Sequence, residues 1–272
     1  MPSIDLARLR KQALRLAEFF FVPEEFARNL NAVLDSYVNY TIRTRRRSRP
    51  GANLPTHRTP AVVLSQIQQE LASLASDPQN ASATLTLADH LWDEGWLETR
   101  LLAAFLLGQI SPDEGPLLAR ITAWTSQVRD VELRGRLLDL SLLRMRKETP
   151  DMFLQMLGEW LRPERTRYWS DAIRAAMAAI TDPSFGNLPA LMEALEPVVR
   201  SAPATIQLDL EDLLNALFAV SPTETTYFVR QVLTDADSPM TAVAFRRMSA
   251  ALPPLLRDDI RELVRARPSS AE

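Results

Sequence analysis

Residues 87–112 read LADHLWDEGWLETRLLAAFLLGQISP, and their spacing decides the fold class. Leu87, Ala88, Leu91 and Trp92 fall at i, i+1, i+4 and i+5, the pattern of one buried face of an α-helix. Gly95 can end that helix in a left-handed turn, where a Cβ would be penalised. The run that follows is apolar on nearly every side, which places a helix between neighbours. Glu98 and Arg100 stand two apart, so they do not face each other on a helix and reach separate partners at its edge. Trp92 and Trp96 read as packing residues. Ser111-Pro112 then signals a new helix, since a hydroxyl caps a free N–H and proline presets the helical φ.

The same start signal recurs outward from this point, at Thr149-Pro150, Ser221-Pro222 and Ser238-Pro239, and Asn187 is a further good N-cap. Ser111…Glu114 and Ser221…Glu224 have the spacing of capping boxes. Steps of 38, 38 and 34 residues separate Ser111, Thr149, Asn187 and Ser221. Each interval holds two helical patterns, which predicts an all-α chain, an α-solenoid of HEAT-like antiparallel helical pairs. The expected units are 111–147, 149–181, 187–219 and 221–252, with a last helix after Pro253-Pro254 to about Arg267. Helices are also expected over 61–76, 82–94 and 96–109. Residues 1–58 read as an N-terminal helical pair, its second helix opened by Pro23, followed by a basic loop; residues 59–272 form the repeat array.

Composition closes most catalytic routes. The chain has no cysteine and two histidines, His57 and His90. That excludes disulfides, thiol nucleophiles and thiolate or multi-histidine zinc sites. No Gly-x-Ser-x-Gly turn or Gly-rich phosphate loop occurs. No metal or organic cofactor is implied. The longest apolar run, Leu101–Ile110, is too short for a bilayer, and the charged N-terminus lacks the pattern of a secretory signal, so the expected location is the cytoplasm, with no membrane partner.

The segment LADHLWDEGWLETRLLAAFLLG resembles a stretch of the DNA alkylation repair family, the HEAT-like-repeat alkylpurine DNA glycosylases. Leu91, Trp92, Glu98, Arg100, Ala103 and Ala104 carry the match, and the resemblance covers roughly 61–220. It implies a helical-repeat fold and, in active members, a tryptophan at the lesion with an aspartate four residues on. That aspartate supports the positive charge developing on the sugar as the base leaves. Here those two positions hold Val131 and Gly135. Asp130, Glu132 and Asp139 are the carboxylates nearby, and Asp130 also reads as an N-cap. A second aromatic of the family falls near Ala175, close to Trp169, while Trp124 lies beyond an expected helix break near Asp130. The resemblance therefore implies a diverged member that does not excise alkylated purines efficiently.

Two kinds of partner remain. A duplex backbone would be tracked by arginines: Arg43, Arg45, Arg46, Arg47, Arg49 and Arg58 in the basic stretch, then Arg129, Arg134 and Arg136. Arg162, Arg165, Arg167 and Arg174 continue the series in the next repeat, with Tyr168 and Trp169 beside an exposed base or sugar. The leading expectation is sequence-independent DNA binding through such a concave basic face. Against it, arginines outnumber lysines 29 to 2, which is the mark of codon bias, and the net charge is −3. The alternatives are a protein-interaction scaffold or a retained glycosylase.

Overall fold

The computed structural model describes residues 4–39, 54–113, 117–235 and 239–266. Among them are fifteen α-helices and no strand. They are α1 Leu6–Ala17, α2 Pro23–Ser36, α3 Ala61–Ser76, α4 Ala81–Asp93, α5 Leu97–Leu107, α6 Leu117–Gln127, α7 Val131–Ser141 and α8 Leu143–Glu148. There follow α9 Pro150–Trp160, α10 Trp169–Thr181, α11 Leu188–Ser201, α12 Gln207–Val220, α13 Pro222–Asp235, α14 Pro239–Met248 and α15 Pro254–Ala266. No helix among the described residues is long and apolar enough to cross a membrane.

The chain divides by internal contacts into Met1–Glu148 and Thr149–Glu272. In the first unit α1 packs on α3, α3 on α5 and α5 on α7, while α2 packs on α4. Successive helices also pair, α1 with α2, α3 with α4 and α4 with α5. The N-terminal pair thus lies on α3 and α4 as one pair lies on the next. Stacked indoles of Trp92 and Trp124, 4.4 Å apart and nearly parallel, join α4 to α6. α5 approaches α7 most closely at Gly108, where an added Cβ would overlap the Leu140 carbonyl oxygen.

The second unit repeats the rule that each helix packs on the next but one. α9, α11, α13 and α15 make one series, and α10, α12 and α14 the other. Apolar residues at helical spacing supply the core, for example Leu210, Leu213, Leu214 and Leu217 on α12, all inaccessible to solvent. Burying each such leucine contributes about 1.5–3 kcal/mol.

Several start signals operate as the sequence predicts. The Asn187 side chain accepts from Ala190 N–H at 3.2 Å, and Asp130 from Leu133 N–H at 2.9 Å. At Ser221 the expected reciprocal capping box is replaced by a side-chain contact: the hydroxyl donates to Glu224 at 3.0 Å, and the Ser221 N–H goes to the Leu217 carbonyl at 2.8 Å. Gly95, at φ 76°, follows α4. Ser111-Pro112 behaves otherwise: Pro112 and Asp113 form a turn, and α6 begins at Leu117. The reason lies in Gly115-Pro116, because proline disfavours helical backbone in the residue before it and lacks an N–H itself. The interval 111–147 also holds three helices where two were expected, because the second is broken at Leu142 into α7 and α8. Glu114, Ser238 and Arg267 lie outside the described residues.

Candidate nucleic-acid interface

Glu98, one of the residues that carry the resemblance, anchors a clamp. Glu98, in the first turn of α5, is 6% exposed, so it sits inside the unit and not at an edge. Its carboxylate accepts from the Thr56 hydroxyl at 2.6 Å and from the His57 backbone N–H at 3.1 Å. Leu97 N–H donates to the Pro55 carbonyl at 2.9 Å. The extended strap 54–59 is thereby fixed to the start of α5. On the other side it meets α2, where Thr59 donates to the Leu34 carbonyl at 3.3 Å and His57 Nδ1 lies 2.8 Å from Asp35 Oδ1. A carboxylate partner makes Nδ1 the donor, while Nε2 is buried and makes no hydrogen bond. The imidazole stacks on Trp96 at 4.3 Å. Arg58 adopts φ 55°, a left-handed conformation costly for a side chain with Cβ, and it is exposed.

Arg100 goes elsewhere, as its spacing from Glu98 requires. Its guanidinium lies 4.4 Å over the Trp92 ring and its Nε donates to the Trp92 carbonyl at 3.4 Å. Burial pushes that guanidinium below its ordinary pKa, and Asp93 partly opposes the shift. Trp92 also donates its indole N–H to Gln127 at 3.1 Å. Both tryptophans of the segment and both members of its Glu-x-Arg pair therefore hold helices together.

The positions where the family implies catalysis lie at the start of α7. Val131 is 48% exposed and Gly135 half-buried. Asp130 caps α7, and Asp139 pairs with the buried Arg146 at 2.7 Å. Glu132 is exposed in the first turn. Trp124 belongs to α6, across the break before Asp130, and is buried against Trp92. Arg134 turns inward and donates to the Val128 carbonyl at 2.6 Å. The exposed charges just before and along α7 then read Arg129, Glu132, Arg136, Asp139, alternating in sign.

In the second unit Arg162, Arg165 and Arg167 are exposed in the short 3-10 turn Pro163–Tyr168 and its approach. Arg162 pairs with Glu159, which Arg165 approaches at 3.9 Å. Arg167 lies 4.5 Å over the Tyr168 ring and donates to its hydroxyl at 2.6 Å. Trp169 opens α10, half-buried, and donates to the Arg162 carbonyl at 3.1 Å. Arg174 is paired with Asp209 of α12, and Ala175 is fully buried. Arg43, Arg45, Arg46, Arg47 and Arg49 lie outside the described residues.

Sequence reasoning passed over His57, which the structure makes the centre of the clamp. Its partners Asp35 and Glu98 lie 22 and 41 residues away, so no local spacing marked it. Among the described residues no group of three or more His, Asp or Glu side chains is placed to hold a metal ion. Comparison with family models, curated proteins and solved structures finds no match to this chain.

Proposed function

We propose that the chain is an α-solenoid of HEAT-like helical pairs that serves, without catalysis, as a docking protein for another protein. The next-but-one packing of helices within each unit supports the repeat architecture. The observation that carries the docking role is in Thr149–Glu272. Leu208, Tyr227, Met240 and Leu255 are 75, 69, 63 and 73% exposed there, in a unit with 17 acids against 12 basic residues. Exposed apolar side chains on a net acidic surface suit a protein and repel a polyanion.

A second reading keeps DNA as the partner, with the chain as a diverged relative of the alkylation-repair glycosylases. It is favoured by Arg129 and Arg136, exposed on either side of Val131, and by the resemblance at Leu91, Trp92, Glu98 and Arg100. Retained glycosylase chemistry has less support, because Asp130 caps its helix and Asp139 holds Arg146.

One titration separates these readings. Purified chain is mixed with duplex, nicked and abasic DNA at low salt, beside an assay for base release from alkylated DNA. The docking reading expects no shift and no free base. A shift whose affinity falls steeply as salt rises installs the second reading. Base release that grows in the Val131→Trp/Gly135→Asp variant would place the catalytic site at α7.

A further inference from the structure

The outer face of α1 carries cations beside exposed apolar groups. Leu9, Ala13, Leu16 and Phe20 are its buried stripe, and the N–H groups of Phe19 and Phe20 donate to Leu16 and Ala17, which carries the winding past the helix end. Leu14 and Phe21 each follow a buried residue by one, so they share a flank; they are 48 and 59% exposed. Arg8 and Arg15 each precede a buried residue by one and share the other flank, with Lys11 and Glu18 between the two. Arg10 is held by Glu70 at 3.3 Å. Arg8, Lys11 and Arg15 are exposed and meet no acid within salt-bridge distance among the described residues.

A face on α13 and α15 has the opposite sign. Arg230 of α13 donates to Asp259 of α15 at 2.7 Å and so marks one side of this packed pair. Tyr227 lies three residues before Arg230 and Leu255 four before Asp259, which puts both on that side. They are 69 and 73% exposed. Asp258, Asp259 and Glu262 follow Leu255 at three, four and seven residues and share its face, and Glu224 is exposed three before Tyr227. The arginines of α15 come two, six and ten residues after Leu255, on its far side. From there Arg257 and Arg261 approach Asp258 at 3.3 and 3.8 Å. Asp259 first, and Glu262 as well, hold the Arg230 guanidinium above its ordinary pKa.

The two faces match each other and repel themselves. α1 against α1 crowds Arg8, Lys11 and Arg15, and the α13–α15 face against itself crowds its acids. The division extends to the whole units: Met1–Glu148 holds 19 basic against 17 acidic residues, and Thr149–Glu272 holds 12 against 17. We infer that the partner is a second copy of this chain, the α1 face of one copy docking head to tail on the Tyr227–Leu255 face of another. Cations then meet carboxylates, and Leu14 and Phe21 are covered together with Tyr227 and Leu255. The inference rests on the protein-docking reading and names its partner.

The test is sedimentation of the full chain at low salt over a wide range of concentration. The mass is expected to rise past two copies, because a contact between unlike surfaces leaves a free face at each end, and to fall as salt is added. Lys11→Glu/Arg15→Glu and Leu255→Ser/Glu262→Lys should each weaken the association about tenfold or more, as the loss of one buried leucine would. Mixing these two variants should restore a one-to-one dimer and nothing larger, since each keeps the face the other lacks. Leu208→Ser, on α12, should leave the association unchanged. Circular dichroism of each variant checks the fold. A wild type that stays monomeric, association that survives either double variant, or a mixture that forms no dimer overturns self-docking. Any of these leaves the protein-docking reading standing, since the DNA titration decides that separately.

Discussion

In Met1–Glu148 the buried charged side chains are paired. Glu98 holds Thr56 and His57, and Arg146 holds Asp139. Trp92 packs Arg100 and Trp124. Both units leave large apolar side chains in solvent, but the four most exposed, Leu208, Tyr227, Met240 and Leu255, all lie in Thr149–Glu272, against at most 59% for Phe21 in the first unit. A buried polar group is tolerated only where partners satisfy it, so it marks a place where the chain is held in one arrangement. An exposed apolar group contributes nothing to the fold that presents it. The same packing rule thus builds one unit that buries more charged side chains and another whose exposed apolar side chains stand further into solvent.

The sharpest way to break this contrast is to remove the aromatic that joins three elements of the first unit. Trp92 is 2% exposed, and Trp92→Ala is expected to cost about 4 kcal/mol, from lost area and an unfilled cavity. Chemical denaturation measures it. A cost below about 1 kcal/mol, the range of ordinary substitutions, would show that the indole stack does not hold α4 to α6.

Next in size is Gly108→Ala. The obstacle is backbone, the Leu140 carbonyl, and cannot rotate aside as a side chain would. Separating α5 from α7 enough to seat one methyl is expected to cost about 3 kcal/mol. Gly158, which has open space around its missing Cβ, is the matched control in the second unit. Gly158→Ala lies within a helix and is expected to stabilise it by up to about 1 kcal/mol. Equal responses from the two glycines would erase the difference drawn here between the packing at these two sites.

Glu98→Ala comes third, at about 2–3 kcal/mol, because the Thr56 hydroxyl and His57 N–H lose their acceptors together. Glu98→Gln keeps one oxygen as acceptor but turns an N–H₂ toward the second donor, so only partial recovery is expected. Trp96 stacks on His57 and supplies an optical readout of the strap, through its fluorescence. If Glu98→Ala melts normally and leaves the indole emission unchanged, the clamp is incidental to the strap.

How much of this was legible follows from the range of each interaction. Helix starts at Pro23, Pro150 and Pro222 could be read because proline presets the helical φ at the first position, whether or not a side chain caps the helix. The all-α class and the burial of Leu87, Ala88, Leu91 and Trp92 could be read from periodicity alone. At Ser111-Pro112 a local signal lost to a stronger local one, Gly115-Pro116. The clamp could not be read, since a lone histidine and a lone glutamate carry no spacing that names each other. Arg134 and Asp139 looked like surface charges for the same reason, and their partners Val128 and Arg146 became visible only once α7 and α8 were in place.

The smallest expected effect tests the second half of the contrast. Leu208 is 75% exposed, so Leu208→Ser removes a side chain that water already surrounds. Its effect on stability should stay within about 0.5 kcal/mol. The same change at Leu91, which is fully buried, exposes the meaning of that number: there the hydroxyl meets no water and the lost methyl groups leave a void. The Leu91 variant should therefore lose several kcal/mol, on the order of 3 or more. Should Leu208→Ser prove as costly as Leu91→Ser, the leucine is packed in solution against something within the chain. Leu208 would then belong to the core, and a partner would have nothing there to bury.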